Sequence, residues 1–424
     1  MNIIDREELT SIKRRVDQGT EDQRKSVKEI ISAVRNQGDT ALYHYTETFD
    51  GVSLHSLKVQ PEEIEAAYQA LDGEFVEILQ EAADNIRQFH EKQTSTSWFD
   101  TSTDGTILGQ KITPIESAGV YVPGGTAAYP SSVFMNIIPA QVAGVTNIYM
   151  VTPPGKDGKV PDGVLLAAHI LGIDHIYKVG GAQAIAALAY GTETIPTVDK
   201  ITGPGNIFVA LAKREVFGDV DIDMIAGPSE IAILADETAV AGEVASDLLS
   251  QAEHDARSSS LLITTCRSLA EEVKQEIETQ LANLPRKAIA RASIEKFGMI
   301  ILCRHLDEAL ETVNEIAPEH LEVVTKDPFQ QLGKIKHAGA IFLGPYSSEP
   351  VGDYFAGPNH VLPTNGTARF SSPLNVDDFV KKSSVISYSE EALQKNADKI
   401  ARFARLEGLE AHARAVEMRK ERWK

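Results

Sequence analysis

GVYVP (119–123), SSVFMNIIPAQVAG (131–144), NIYMVTP (147–153), DGVLLAAHILG (162–172), HIYKVG (175–180), GAQAIAALAYG (181–191) and VDKITG (198–203) follow one another along the chain. The strand-like runs are short and apolar on both faces, as buried parallel strands require. The runs between them are helical. Alternation of strand and helix at this spacing predicts a doubly wound α/β domain.

A second series follows: IAILAD (231–236), the helical TAVAGEVASDLLSQAEHD (238–255), SLLITTC (260–266), a helix near Leu269 to Leu281, GMIILC (298–303), a helix near Leu306 to Ile316, LEVVT (321–325) and AGAIFLG (338–344). Before the first series, residues up to about Gln93 read as helices. There PEEIEAAYQALDGEFVEILQEAADNIRQFHEKQ (61–93) has apolar residues at helical spacing and acids near its start. The Pro-Gly-rich stretch from Gly344 to Pro373 reads as loop, and long loops in compact proteins carry function. From Ser389 a charged helical pattern runs to the end, broken near Gly408. It is too polar to form a core alone and must pack on something, a second subunit being one option.

The 424 residues exceed one ordinary domain, and 42% hydrophobic with 24% charged residues is globular composition. Sixty-one acidic against 41 basic residues give a formal net charge of -20, which disfavours a nucleic-acid partner. The N-terminus MNIIDREELTSIKRR lacks the apolar core of a signal peptide, and no stretch approaches the ~20 apolar residues of a membrane span. These features predict a cytoplasmic protein without a membrane partner. Two cysteines, Cys266 and Cys303, make neither a disulfide framework nor a Cys-rich metal site.

Neither series carries G-x-G-x-x-G after its first strand, so the glycines alone do not mark a dinucleotide enzyme. Four other segments carry groups capable of chemistry. In SQAEHD, Gln251 and His254 lie three apart on a predicted helix and share a face; they are a metal-ligand pair or a solvated pair on an amphipathic helix. In EIAPEHLEVV, Glu319 and His320 sit between a helix and a strand, as a proton-transfer pair or as a capped turn. EPVGDYFAGPNHVLPT holds Asp353 and His360 on a turn-rich segment, as ligands or as surface loop. LEGLEAHARAVEMR places Glu407 and His412 on a helical pattern, where a lone His is commonly structural or solvated. Ser229 of GPSEIAILAD occupies a turn before a strand, and both cysteines lie in or beside apolar strand runs.

Taken in order, VYVPGG, GGAQAIAALAYGT, TGPGN, GPSEI, LLSQAEHD, APEHLE, GDYFAGPNHVLPT and LEGLEAHARAV resemble the histidinol dehydrogenase family over nearly the whole chain. The resemblance implies an α/β fold of two incomplete, Rossmann-like, doubly wound domains with a short N-terminal arm and a helical C-terminal tail. It divides the chain into an arm (1–20), a first α/β domain including the N-terminal helices (21–118 with 230–375), an NAD-binding α/β domain (119–229) and a dimer-crossing tail (376–424). It implies one Zn2+ per subunit on Gln251, His254, Asp353 and His412, with Glu319 and His320 as the acid-base pair. Ser229, His360 and Glu407 match substrate contacts, alongside Glu319 and the zinc ligands, and Tyr121, Gln183 and Asn206 match NAD contacts. The implied substrate is L-histidinol, oxidised through the aldehyde to L-histidine, in a homodimer whose tail brings Glu407 and His412 to the partner's site. Two rival readings stand beside this one. One is an aldehyde oxidoreductase working through a thiohemiacetal on Cys266 or Cys303; the other is a two-lobed binding protein without turnover.

Overall fold

The computed structural model describes residues 1–9, 19–124 and 129–420. They fall in two compact units, one within residues 1–93 and 115–379, the other within residues 94–114 and 380–420. Residues 125–128 of the VPGGTAAYPSS turn and residues 10–18 of the N-terminal arm lie outside the described residues.

The chain opens with β1 (Asn2–Asp5), α1 (Glu21–Gln37), α2 (Asp39–Asp50), α3 (Pro61–Ala70) and α4 (Gly73–Glu91). Thr20 starts α1 with a capping box: its hydroxyl accepts the Gln23 N–H at 3.2 Å, and the Gln23 amide oxygen accepts the Thr20 N–H at 2.8 Å. Next come β2 (Trp98–Thr101) and β3 (Ile107–Pro114), which belong to the second unit. The first α/β series follows as β4 (Ser117–Tyr121), α5 (Pro130–Ala143), β5 (Asn147–Thr152), α6 (Asp162–Ile170), β6 (Ile176–Lys178), α7 (Gly181–Tyr190), β7 (Lys200–Thr202), α8 (Ile207–Val216) and β8 (Asp221–Ile222).

Its five strands run parallel in the order β6-β5-β4-β7-β8. Each face is covered by helices, as a parallel sheet needs. On one side Phe134 and Ile137 of α5 and Leu166 of α6 pack on Val120 and Met150; on the other Ile185 and Leu188 of α7 and Val209 of α8 pack near Val151 and Ile201. Helices α1–α4, grouped with the 230–375 series on sequence grounds, have their buried stripes in these same two clusters: Ile64 and Ile86 in the first, Val27, Ile30 and Leu42 in the second. They lie on the crossover helices, α1 on α7, α3 on α6 and α4 on α5.

The second series comprises β9 (Glu230–Ala235), α9 (Ala241–Ala252), β10 (Ser259–Thr264), α10 (Arg267–Leu281), α11 (Lys287–Phe297), β11 (Met299–Leu302), α12 (Leu306–Ile316), β12 (His320–Val324), α13 (Pro328–Leu332), β13 (Ala340–Leu343) and α14 (Glu349–Tyr354). Its six parallel strands are ordered β1-β11-β10-β9-β12-β13. The N-terminal arm therefore supplies an edge strand, with Ile3 opposite Ile300. Every residue of central β9 is buried, which accounts for its unbroken apolar run. The segment read as loop from Gly344 contains the short helix α14, which carries Asp353.

In the second unit, β14 (Val380–Ser387) joins β3 and β2 in an antiparallel sheet, registered from Val380 opposite Pro114 to Ser387 opposite Ile107. The tail is thus a strand followed by two helices, α15 (Glu390–Leu406) and α16 (Glu410–Lys420), which pack on each other across Gly408 at φ 77°. Among the described residues no helix is long and apolar enough to cross a membrane.

In the five-stranded sheet the chain reverses direction between β4 and β7; in the six-stranded sheet it does so between β9 and β12. Open α/β sheets bind ligands at the carboxyl ends of such neighbouring strands. The first sheet obeys, presenting the turns after β4 and β7. The second presents the opposite edge: Ser229, Glu319 and His320 stand at the amino ends of β9 and β12.

Candidate active site

A cleft of about 400 Å³ lies within the first unit. Gly124, Asn206, Ser229, His254, Glu319, His320, Glu349, Asp353 and His360 line it.

The acid-base candidates are placed by a helix stop. Helix α12 ends on Ala317, a non-glycine residue at φ 52°, and Pro318 prevents its continuation. Glu319 and His320 follow as the chain enters β12, and both are buried. They hold residue 230 of the adjacent strand from two sides. The Glu230 N–H donates to Glu319 Oε2 at 2.8 Å, and the Glu230 carbonyl accepts from His320 Nδ1–H at 3.1 Å. A carbonyl only accepts, so Nδ1 carries the proton and Nε2 faces the cleft. Burial pushes the Glu319 carboxyl up to about 8. Burial pulls the His320 imidazole down, but the Glu319, Asp353 and Glu349 carboxylates outweigh it and raise His320 well above its ordinary value.

Gln251 and His254 do not both lie on the predicted helix. Helix α9 ends at Ala252, and His254 falls in the turn beyond it. The two side chains still meet, at Glu349. With its amide oriented by its partners, Gln251 donates from Nε2 to both Glu349 oxygens at 2.7 and 3.0 Å, and its Oε1 accepts the Glu230 N–H at 3.2 Å. His254 Nε2 is 3.9 Å from Glu349 Oε1.

Glu349 was not among the sequence candidates. Its side chain is 2% exposed, and Ser250 Oγ donates to it at 3.1 Å. Glu322 Oε1 accepts its backbone N–H at 2.7 Å. Burial pushes its carboxyl up to about 7. One ligand atom from each of His254, Glu349 and Asp353 lies within 4.8 Å of the others. Buried charges are paired or coordinate metals. An imidazole nitrogen and two carboxylates form a mixed N and O set suited to a divalent ion such as zinc, and Gln251 meets that set through Glu349.

Asp353 Oδ1 is 3.7 Å from His320 Nε2, and the Asp353 carbonyl accepts from His360 Nδ1–H at 3.1 Å. Burial holds His360 below its usual value, so it is neutral at pH 7. Ser229 lines the cleft and its carbonyl accepts the Ser259 N–H at 3.0 Å, which fixes the turn.

The three expected dinucleotide contacts are not equally placed. Asn206 lines the cleft and caps α8, its Oδ1 accepting the N–H groups of Phe208 and Val209 at 3.0 and 3.2 Å. Tyr121 and Gln183 are buried and do not line it. The Tyr121 hydroxyl accepts the Gly181 N–H at 3.2 Å at the start of α7, and Gln183 Oε1 is buried without a hydrogen-bond partner. Glu407 and His412 belong to the second unit, Glu407 at the end of α15 and His412 on α16, and both are exposed. Neither cysteine lines the cleft: Cys303 Sγ lies 3.9 Å from the Thr312 hydroxyl, and Cys266 Sγ 3.2 Å from that of Ser268.

A family model described as histidinol dehydrogenase matches residues 13–420. The histidinol dehydrogenase of Halalkalibacterium halodurans is 64% identical over 421 residues, covering 99% of each chain. That of Bacillus subtilis is 64% identical over 415 residues, covering 98% of this chain and 97% of its own. A crystal structure of histidinol dehydrogenase from Elizabethkingia anophelis has a TM-score of 0.93 at 40% identity, covering 97% of this chain and 95% of that one. With a cleft that brings a buried Glu-His pair against a candidate metal-ligand cluster, and with relatives matching from end to end, the chain belongs to the histidinol dehydrogenase family, a family of oxidoreductases.

Proposed function

We propose that the enzyme oxidises L-histidinol through L-histidinaldehyde to L-histidine with two molecules of NAD, in the cytoplasm. The observation that carries this reading is the convergence of Glu319 and His320 with His254, Glu349 and Asp353 on one cleft. A protein that only binds would have no need of the proton-transfer pair.

His254 and Asp353, with Gln251 once its amide turns to point Oε1 toward the ion, would hold one zinc ion per subunit, with His412 of the partner subunit completing the set and Glu349 beside it as a further carboxylate. When bound, the ion would anchor the imidazole and amine nitrogens of the substrate and so fix its carbinol carbon. Ser229 and His360, with Glu407 of the partner subunit, would fix the remainder of the substrate. Asn206 would hold NAD, which accepts each hydride; Tyr121 and Gln183, buried outside the cleft lining, would reach it only with local opening.

His320 Nε2 is the proton acceptor for the carbinol hydroxyl. Its burial without a hydrogen-bond partner leaves it free for that role. A cation held by Asp353 and Glu349 would offset their charge, and Nε2 would then be available as a base. In the second oxidation, Glu319 takes a proton from the water that adds to the aldehyde while His320 returns its proton to the aldehyde oxygen; the freed His320 then takes a hydroxyl proton of the hydrate as the second hydride leaves. The exposed apolar residues of α15, Phe403 and Leu406, support a homodimer with tail exchange, because a lone subunit would leave them in water.

The test is the count of NADH formed per histidinol consumed. Two supports the reading; one means release at the aldehyde, and none means a binding protein.

A further inference from the structure

Lys213 and Asp223 form an ion pair whose side chains are 3% and 0% exposed. They join elements that matter to the cleft. Strand β7 ends in the turn Gly203–Pro204–Gly205–Asn206, and the parallel β8 beside it ends in the segment from Asp223 to Ser229. Both turns line the cleft, one through Pro204, Gly205 and Asn206, the other through Asp223, Met224 and Ser229. Lys213 reaches back from α8 and donates to the Gly203 carbonyl at 3.0 Å as well as to Asp223. Asp223 Oδ2 accepts the Gly203 N–H at 2.8 Å, and its Oδ1 accepts the Met224 N–H at 2.6 Å.

Both backbone groups of Gly203 are therefore held by the two members of one pair. Gly203 also fits no other residue: at φ +113° a Cβ would lie 2.0 Å from the Tyr121 carbonyl oxygen. The turn that presents Asn206 is pressed against the end of β4 on one side and tied to the Ser229 segment on the other.

Stability alone does not account for such a pair. Two buried charges lose hydration that their attraction barely offsets, and apolar residues of equal volume are commonly as stable or more so. What apolar residues cannot do is hold the Gly203 N–H and carbonyl. We propose that Lys213 and Asp223 are positioning residues that clamp the Asn206 turn to the Ser229 segment, presetting the dinucleotide side of the cleft against the substrate side. This rests on the NAD reading above.

Two double variants of the full chain test it. Lys213→Gln with Asp223→Asn keeps a donor for the Gly203 carbonyl and an acceptor for its N–H. Lys213→Met with Asp223→Leu keeps the volume and removes both. Thermal unfolding, calorimetric titration with NAD, and amide exchange at Gly205 and Asn206 are measured on each. The polar pair is expected to bind NAD within about threefold of the unmodified enzyme, and the apolar pair about tenfold or more weakly, as loss of buried hydrogen bonds implies. Exchange at the turn should accelerate only in the apolar pair. Equal affinity and equal exchange in the two variants would overturn the proposal. Should the apolar pair not fold, a loss well beyond tenfold in the polar pair does the same. If the unmodified enzyme binds no NAD, the cofactor reading fails, and the exchange contrast still decides the clamp.

Discussion

His320 Nε2 stands 3.7 Å from Asp353 Oδ1, buried and without a hydrogen-bond partner, while Nδ1 of the same ring is fixed on the Glu230 carbonyl. The ring is thus oriented from behind by backbone and left open in front. Asp353 comes from α14 and His320 from β12, so the open nitrogen lies where the candidate acid-base pair meets the candidate ligands. Orientation by a main-chain carbonyl makes the tautomer independent of what enters the cleft.

Glu319 should govern the second oxidation rather than the first. Burial raises its carboxyl to about 8, so the base form is lost as pH falls through that value. Aldehyde oxidation by the unmodified enzyme should therefore climb with pH and level off above about 8. Glu319→Gln should slow that half-reaction by about 100 to 10,000-fold and the alcohol half-reaction much less. Assays started from histidinol and from the aldehyde separate the two; equal losses, or a flat pH profile for the aldehyde, would remove Glu319 from the role.

Glu349 should matter to the metal more than to the fold. Its carboxylate meets Gln251 and His254 and shares a small space with Asp353. Glu349→Gln is expected to weaken zinc about 10 to 100-fold, the usual effect of removing a partner of the ligands. Competition with a chelating indicator measures this directly. The metal-free variant should melt no lower than the unmodified metal-free protein, since a charge beside Asp353 has gone. A lower melting temperature with unchanged zinc affinity would make Glu349 structural only.

Glu349 also shows where sequence reading stopped. Its significance comes from burial by Ser250, Gln251 and Glu322, which belong to other elements, and no local pattern announces that. One signal was present: Glu349 and Asp353 are four apart behind a proline-started turn, which puts both on one face of a short helix. By contrast, IAILAD was legible because a central parallel strand is apolar on both faces, and the break at Gly408 because only a helix stop explains glycine in that pattern. The sheet of β2, β3 and β14 was not. VKKSSVIS is mostly exposed, so no buried face imposes an alternation. β1 escaped for another reason: four residues at a sheet edge carry too little pattern. Gln251 and His254 do not share a helix face as their spacing predicts; the turn after Ala252 instead brings His254 round to the carboxylate that Gln251 reaches.

Asp50, at the end of α2, gives a pH signature in stability. Burial raises its carboxyl from 3.8 to about 6, and its Oδ2 has no hydrogen-bond partner. A raised carboxyl binds its proton more tightly folded than unfolded, so its effect turns unfavourable as pH rises from 3.8 through 6 and stays so above. Asp50→Asn removes that cost. The variant should melt higher than the parent at neutral pH, with the gain shrinking as the pH is lowered toward the unfolded value. A gain that grows on acidification would show that the shift has the opposite sign.

The tail-exchange reading makes a prediction that single variants cannot. His320→Asn and His412→Asn should each abolish turnover in a homodimer. If His412 serves the partner's site, a hybrid of the two variants contains one site with both defects and one with neither. Random reassortment makes half the dimers hybrids, each with one intact site of two, so roughly a quarter of full activity should return on mixing and subunit exchange. If His412 served its own subunit, every site in every dimer would carry one defect and nothing would return. Tight zinc should stay at one ion per dimer on average through the mixing, because His320→Asn leaves the ligand set whole and each hybrid keeps one complete set.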